Sequence, residues 1–207
     1  VTEPHSEIIA SEIGNQLDIE VVQHNFGFFK GQFGSLCKTV LKTTHESGVD
    51  NIKTIRTNEE LIHGQQLLLA HEPDFDIKKG RAHSFQLIKK TLESTERIKA
   101  DFDKFFRRIV QMIIFDSIIG NKDRHQENWA LIERPVLIAV RDSVTNNLVL
   151  KRKRIYRFSP LYDNGSSLGR ELLERKVALL LNSKDRVPFE SYIDRQQYHI
   201  RWFDKEI

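Results

Sequence analysis

A run of polar residues enclosed between two apolar segments constrains this chain most. GNKDRHQENWALI, residues 120–132, contains six consecutive polar residues from Asp123 to Asn128, with QMIIFDSII before it and WALI at its end. A stripe of Phe and Ile at helical spacing runs up to Gly120 and predicts a buried helix, whereas WALI predicts the start of a strand. Polar side chains held between two buried elements face either water or a ligand.

Composition excludes several classes of protein. The chain has 207 residues, of which 39% are hydrophobic and 29% charged, and its net charge is +3, as expected of an ordinary globular protein. Its single cysteine, Cys37, excludes an internal disulfide framework and a Cys-based zinc cluster, and we expect it in a strand or the core. No apolar run approaches the roughly 18 residues of a membrane span, so we expect no membrane association and a cytoplasmic location.

The hydrophobic periodicity predicts an α+β chain with a mostly helical body. Asn58 is a candidate N-cap, and Pro73 is expected to end the helix that follows it. The predicted elements are a helix in 6–19, a hairpin in 20–42 that turns near KGQFG, helices in 58–71, 83–94 and 102–119, a strand pair in 135–158 joined at TNN, and helices in 169–183 and 189–207.

The polar run contains residues suited to a metal and phosphate site. Asp123 and Asn128 are five positions apart, and the strand pair that follows leads to PLYDNGSS, which contains Asp163. Because two paired strands bring their outer ends together, Asp163 is expected near Asn128. Asn128 and Asp163 would then hold Mg²⁺, which prefers oxygen ligands, and Asp123 would meet the attacking hydroxyl of a phosphoryl transfer. The alternative is a solvated loop with local Asx turns.

Two segments carry a resemblance to a known family. GNKDRHQENW resembles the DxHxxN loop of HipA-like serine/threonine kinases, and a related DRHxxN occurs in phosphoinositide kinases. SPLYDNGSSLG resembles the HipA-like segment that replaces DFG. Upstream, NFGFFKGQFGSLCKTVL and EELIHGQQLL are similar to the hairpin, hinge and first helix of these domains, so the resemblance covers roughly residues 5 to 180.

The resemblance implies a protein-kinase-like fold with unequal lobes. Residues 1–44 would be a remnant of the N-lobe with a helix, the hairpin and the hinge, and residues 45–207 would form a mostly helical C-lobe. The implied activity is ATP- and Mg²⁺-dependent transfer of a phosphoryl group to a protein serine or threonine. An antitoxin-like protein partner is also implied.

The resemblance also assigns roles to individual residues. Asp123 would be the catalytic base, and Asn128 and Asp163 would hold Mg²⁺ against the ATP phosphates. His125 and Tyr162 lie in segments that line the nucleotide pocket of such kinases.

The start of the chain departs from the kinase pattern. Glu7 resembles the helix glutamate that pairs with a strand lysine, but no glycine-rich loop or strand lysine precedes it in this sequence. We therefore expect a fragment of a longer kinase. The other interpretations are that a second polypeptide supplies these elements, or that nucleotide turnover has been lost. Lys30, Lys38 and Lys42 are weaker candidates for the missing lysine.

Two other functions remain open from the sequence. The DRHxxN loop is compatible with a phosphoinositide-type lipid kinase, and the absent lysine is compatible with a catalytically silent binding module on a kinase fold. A separate basic cluster, KRKRIYR at 151–157, predicts a solvated strand or a surface for an acidic protein or nucleic acid. Direct nucleic-acid binding is not expected, because no RNA-binding aromatic pattern accompanies the cluster.

Overall fold

The structure is a computed structural model that describes the chain in several stretches. These are residues 3–44, 57–78, 82–141, 147–170 and 199–201, together with residues 175, 178 and 190. The helices predicted in 169–183 and 189–207, the TNN turn and the lobe boundary at residues 44 and 45 lie largely outside the described residues.

The first described stretch forms a helix followed by a hairpin, as predicted. Helix α1 (Glu3–Gln16) precedes strands β1 (His24–Phe29) and β2 (Gln32–Cys37), which pair antiparallel. The two residues between the strands, Lys30 and Gly31, have φ angles of 49° and 78°. This left-handed pair is the geometry that a two-residue hairpin loop requires, and it matches the right-handed twist of the strands.

A three-stranded antiparallel sheet combines one short strand from the first half of the chain with two long strands from the second half. Its order is β5-β6-β7, with β5 (Glu60–His63), β6 (Ala130–Arg141) and β7 (Leu148–Phe158). β6 and β7 pair from Leu131 opposite Phe158 onwards, so the residues before β6 and after β7 leave the sheet side by side. The short strands β3 (Thr43–Thr44) and β4 (Thr57–Asn58) form a separate pair.

One predicted helix begins later in the chain than expected. The prediction of a helix over 58–71 capped by Asn58 is wrong, because Asn58 lies in β4 and Glu60–His63 pair with β6. Helix α2 (Gly64–His71) follows, and its first turn is held by the His63 backbone N–H donating to Gln66 Oε1 at 2.8 Å. Helices α3 (Phe85–Ser94) and α4 (Phe102–Ile119) confirm the other two predictions.

Helix α4 and the sheet share one hydrophobic core. Trp129 is 1% exposed, and its ring stacks parallel to Phe158 at 6.3 Å between centroids. Gly64 packs so tightly on this indole that a Cβ there would lie 2.1 Å from the ring. The α4 residues in this core are Phe105, Ile109, Met112, Phe115 and Ile119. The polar run after α4 is therefore anchored by buried structure at both ends.

Gly120 ends α4 in the left-handed conformation, with φ 64°, as its position in the sequence predicts. None of the helices in the described stretches is long and apolar enough to cross a bilayer.

Candidate functional site

The polar run leaves α4 in a fixed direction. The backbone N–H of Asn121 donates to the carbonyl of Asp116 at 2.8 Å, and the Asn121 side-chain oxygen accepts from the Asp123 N–H at 3.1 Å. Asn121 is fully buried. Its side chain therefore acts as a local turn that sets where Asp123 begins, which is the usual role of Asn in loops.

Arg124 pairs with a buried carboxylate and so holds the loop in place. Its guanidinium lies 2.8 Å and 3.0 Å from the two carboxylate oxygens of Asp116, and the two residues are 2% and 4% exposed. Burial raises the pKa of the Asp116 carboxyl, while the Arg124 charge and the Asn121 amide oppose that rise. This buried fork joins the last turn of α4 to the loop.

The same guanidinium also joins the loop to the segment after β7. Arg124 donates to the backbone carbonyl of Asn128 at 2.7 Å, to the carbonyl of Tyr162, and to the side-chain oxygen of Asn164 at 2.7 Å. The two segments that carry Asn128 and Asp163 therefore meet at one side chain. The sequence predicted that meeting from the strand pair alone.

Asp123 presents a partly exposed carboxylate. Ser166 Oγ donates to Asp123 Oδ2 at 3.3 Å, and His199 Nε2 lies 3.3 Å from Asp123 Oδ1. His199 reaches this position because Arg201 pairs with Ser84 in a parallel bridge. Because this carboxylate is partly exposed, a substrate hydroxyl can approach it within hydrogen-bonding distance, which a general base requires.

The two candidate metal ligands differ in exposure. Asn128 is 4% exposed, and its amide nitrogen donates to the Asp123 carbonyl at 2.9 Å, which leaves the amide oxygen as the atom that could bind a cation. Asp163 is exposed and has a φ of 56°, a left-handed conformation that Asp tolerates better than most residues. Among the described residues, no three His, Cys, Asp or Glu side chains form a metal cluster.

An amide oxygen and a carboxylate nevertheless fit Mg²⁺. This ion commonly binds one or two protein groups and completes its shell with water and phosphate oxygens. Asn128 and Asp163 would hold it, and it would neutralise charge on the phosphates.

Tyr162 contacts the loop from the segment after β7, and His125 is part of the loop. The Tyr162 hydroxyl donates to the Glu127 carbonyl at 2.7 Å and lies 3.0 Å from His63 Nδ1. Burial raises the pKa of Tyr162 above its usual value, with further increases from Asp163 and Glu127, so the phenol stays protonated. His125 Nδ1 accepts from the Glu127 N–H at 3.2 Å, which fixes its ring beside the loop.

Glu7 lies at the base of the same site. Its Oε1 accepts the Asn164 backbone N–H at 3.0 Å, and Oε2 is 3.6 Å from His24 Nε2. Oε2 has no hydrogen-bond partner among the described residues, and none of the ion pairs there joins Glu7 to a lysine. Burial raises the pKa of Glu7, while His24 and the Asn164 N–H lower it.

Several site residues were not predicted from the sequence. Asp116 was one that could have been found, because it is a charged residue within the buried stripe of α4, where such a residue needs a partner. The others give no local signal, since their partners are distant in the sequence. They are His63, Asn164, Ser166 and His199.

Comparison with known proteins gives a match at the level of structure. No protein-family model and no curated protein matches the chain. A solved structure that is similar to it is the Helicobacter pylori proinflammatory kinase CtkA, with a TM-score of 0.65 and 22% sequence identity. The alignment covers 99% of this chain and 59% of the CtkA chain.

The chain has a kinase-like fold. At this level of identity the match concerns the fold, and the roles of Asp123, Asn128 and Asp163 stay predictions from the sequence. The chain spans less than two thirds of the CtkA structure. The fold similarity therefore does not assign the activity or the substrates of a complete kinase to this chain.

Proposed function

We propose that this chain carries the phosphoryl-transfer site of a HipA-like serine/threonine protein kinase that uses ATP and Mg²⁺. In this proposal Asp123 accepts the proton of the substrate hydroxyl as its oxygen attacks the γ-phosphate. Asn128 and Asp163 hold Mg²⁺, and the segments of His125 and Tyr162 border the nucleotide. The HipA-like class is supported by DRHQEN and LYDNGSS, and phosphoryl transfer by the kinase-like fold.

One observation carries the proposal. Arg124, 2% exposed, donates to backbone groups of both the Asn128 segment and the Tyr162 segment. A solvated loop needs no such buried connection to a distant segment, because water satisfies its polar groups. A phosphoryl-transfer site does need it, since most of its catalysis comes from holding charged groups in position.

The test compares two aspartates with a matched surface aspartate. Transfer from ATP to serine- and threonine-containing protein is measured on the longest expressible polypeptide that contains these residues, and Mg²⁺-dependent ATP binding is measured by calorimetry. We expect Asp123→Asn to lower turnover at least about a hundredfold while ATP still binds. Asp163→Asn should weaken Mg²⁺-dependent ATP binding as well. Asp103→Asn, on the exposed face of α4, should change neither quantity.

Retained turnover in Asp123→Asn or Asp163→Asn would refute the assignment. Phosphoryl transfer to phosphoinositide vesicles and not to protein would refute the assignment as a protein kinase. The assignment of phosphoryl transfer from ATP would stand.

A second function is favoured by Glu7. Its Oε2 has no hydrogen-bond partner in the described stretches, although kinase-like sites of the proposed kind pair this glutamate with a lysine. A catalytically silent module that binds partners on a kinase-like body would tolerate this arrangement. Calorimetry separates the two functions, because the silent module gives no heat with ATP and Mg²⁺.

A further inference from the structure

The basic residues of β7 form one side of a surface hollow. Side chains alternate along a strand, so Arg152, Arg154 and Tyr156 project to the same face. Arg97, from the turn after α3, meets them from another part of the chain. Together with Lys153 these residues line a hollow of about 430 Å³. The cluster that the sequence leaves as a solvated strand or a partner surface is thus assembled from two elements.

The positive charge of this hollow is only partly neutralised. Arg154 lies 3.2 Å from Glu133 Oε1, and the Tyr156 hydroxyl donates to Glu133 Oε2 at 2.6 Å. Glu133 is therefore fully engaged. Arg97 and Arg152 are exposed and have no carboxylate within 4.0 Å among the described residues. Arg97 also hydrogen-bonds the Tyr156 hydroxyl, but no carboxylate of the described stretches neutralises the charge of Arg97 or Arg152, so both can pair with an anionic group from outside.

An apolar hollow adjoins the basic one. It has a volume of about 370 Å³ and shares Arg97 and Tyr156 with its neighbour. Its walls are mainly aliphatic, and they include Ile62, Leu67, Ile98 and Leu131. This volume lies within the roughly 300–1,000 Å³ range of ligand pockets. An apolar side chain and a carboxylate on one ligand could therefore occupy the two hollows together.

We propose that these two hollows form a docking groove for an acidic peptide segment of a partner protein. An apolar side chain of the segment enters the aliphatic hollow, and flanking Asp or Glu side chains pair with Arg97 and Arg152. Charge complementarity selects the acidic partner. A nucleic acid fits less well, because the aliphatic walls of the second hollow offer no aromatic platform on which bases could stack.

The test measures binding of a defined probe to the whole chain. The probe is a fluorescein-labelled peptide with a central leucine between two Asp-Glu pairs, and binding is followed by fluorescence anisotropy. Arg97→Glu and Arg152→Glu should each weaken binding by about tenfold. Lys151→Glu is the matched control, since Lys151 is exposed on the same strand but lies outside the hollow. Its effect should stay within about twofold to threefold.

A second set of probes tests the apolar half of the groove. Replacing the peptide's leucine with serine should lower affinity for the native chain. The same replacement should have little effect on Ala70→Gln, in which a longer polar side chain fills the aliphatic hollow. Binding should also weaken as salt is raised from about 50 to 300 mM.

Three results would overturn the proposal. If Lys151→Glu and Arg152→Glu lose equal peptide affinity, the peptide is attracted by the overall positive charge and does not bind in a groove. Tighter binding of a single-stranded oligonucleotide with the same Arg dependence would show a nucleic-acid surface. If the peptide does not bind measurably, the basic cluster is only a solvated hairpin. None of these outcomes depends on phosphoryl transfer.

Discussion

Arg124 organises the candidate site because a guanidinium has five donors in one plane. Three of its contacts are directed at groups that belong to three different segments, namely Asp116, Asn128 and Asn164. Lysine offers one rotatable ammonium and cannot donate in this forked geometry. Buried ion pairs contribute little net stability, yet removing one partner is costly because the other charge remains buried. Arg124 is therefore a residue at which substitution affects both folding and the site.

We predict that Arg124→Gln lowers the free energy of unfolding by about 3–5 kcal/mol, since the Asp116 carboxylate is left buried without its partner. Urea denaturation followed by tryptophan fluorescence measures the change. Asp116→Asn/Arg124→Gln should lose less stability than Arg124→Gln alone, because no unpaired charge remains. Arg107→Gln, at an exposed position on α4, should change stability by less than about 0.5 kcal/mol. A similar small change in Arg124→Gln would contradict this role.

His83 makes stability depend on pH. It is 1% exposed, and its Nε2 accepts the Trp129 indole N–H at 3.2 Å, so the fold requires the neutral ring. Burial lowers the pKa of His83 to about 3, with contributions from the charges of His199 and His125. The unfolded chain takes up this proton near pH 6.5, the usual value. Stability from this group is therefore complete above that pH and is lost as pH falls towards 3.

We predict that the unfolding free energy falls by about 1.4 kcal/mol per pH unit below 6.5 from His83 alone. His83→Gln keeps a hydrogen-bond acceptor for Trp129 but has no titrating ring at this position. Between about pH 7 and pH 5, the unfolding free energy of this variant should therefore fall by about 2 kcal/mol less than that of the native chain. His71→Gln, a substitution of a less buried histidine, serves as the control. An unchanged pH slope in His83→Gln would refute the prediction.

At the scale of helices and strands, sequence patterns predicted the features that depend on neighbouring residues in the chain. The Phe and Ile stripe of α4, its end at Gly120 and the hairpin at Lys30 and Gly31 all follow from periodicity and turn chemistry. The start of α2 did not follow, because pairing with β6 outweighed the helix signals around Asn58.

The buried face of α1 was equally hidden from the sequence. Ile9 is 42% exposed, whereas Ser6 and Glu7 are buried against the segment after β7. An apolar pattern predicts that a helix exists, but the side that is buried depends on the partner segment. In α1 that partner lies more than 150 residues away, through Ser6 Oγ donating to the Ser167 carbonyl.

The end of α4 offers a test of an element boundary. Gly120 has a φ of 64°, and a Cβ there would meet nothing within 4 Å, so only backbone strain opposes a side chain. We predict that Gly120→Ala lowers the unfolding free energy by about 1 kcal/mol. Gly34→Ala in β2 is matched for open space and lacks the left-handed φ, so it should cause no loss. Thermal unfolding measures the stability of both variants. Equal stabilities of Gly120→Ala and Gly34→Ala would contradict the proposed backbone strain at position 120.

At the scale of the whole molecule, one strand pair connects the candidate site with the docking groove. Its first pair, Leu131 and Phe158, lies next to the segments of Asn128 and Asp163, while Arg152 and Arg154 lie further along β7. The sequence predicted the convergence of these segments because hairpin geometry requires it. It could not predict the contribution of Arg97 or the aliphatic hollow, since these depend on how α2 and the turn after α3 pack against the sheet.

This arrangement predicts a substrate preference that rests on both the proposed function and the proposed groove. Asp163 is nine positions after Arg154, so the chain between them spans at most about 30 Å. A peptide with an Asp-Glu-Leu-Asp-Glu segment and a serine about nine residues away should reach both places. Relative to a peptide without that segment, its KM should fall about tenfold with kcat unchanged, because docking contributes equally before and during the reaction.

Steady-state kinetics with a series of spacer lengths measures this preference. A two-residue spacer should give no advantage, because Arg154 and Phe158 alone are about 13 Å apart along β7, whereas two extended residues span only about 7 Å. Arg152→Glu should remove the advantage of the long spacer and leave the peptide without the acidic segment unaffected. If turnover does not depend on spacer length, the groove does not contribute to substrate selection. If no peptide is phosphorylated but the acidic peptide still binds in the anisotropy assay, the phosphoryl-transfer proposal is rejected and the docking groove is retained.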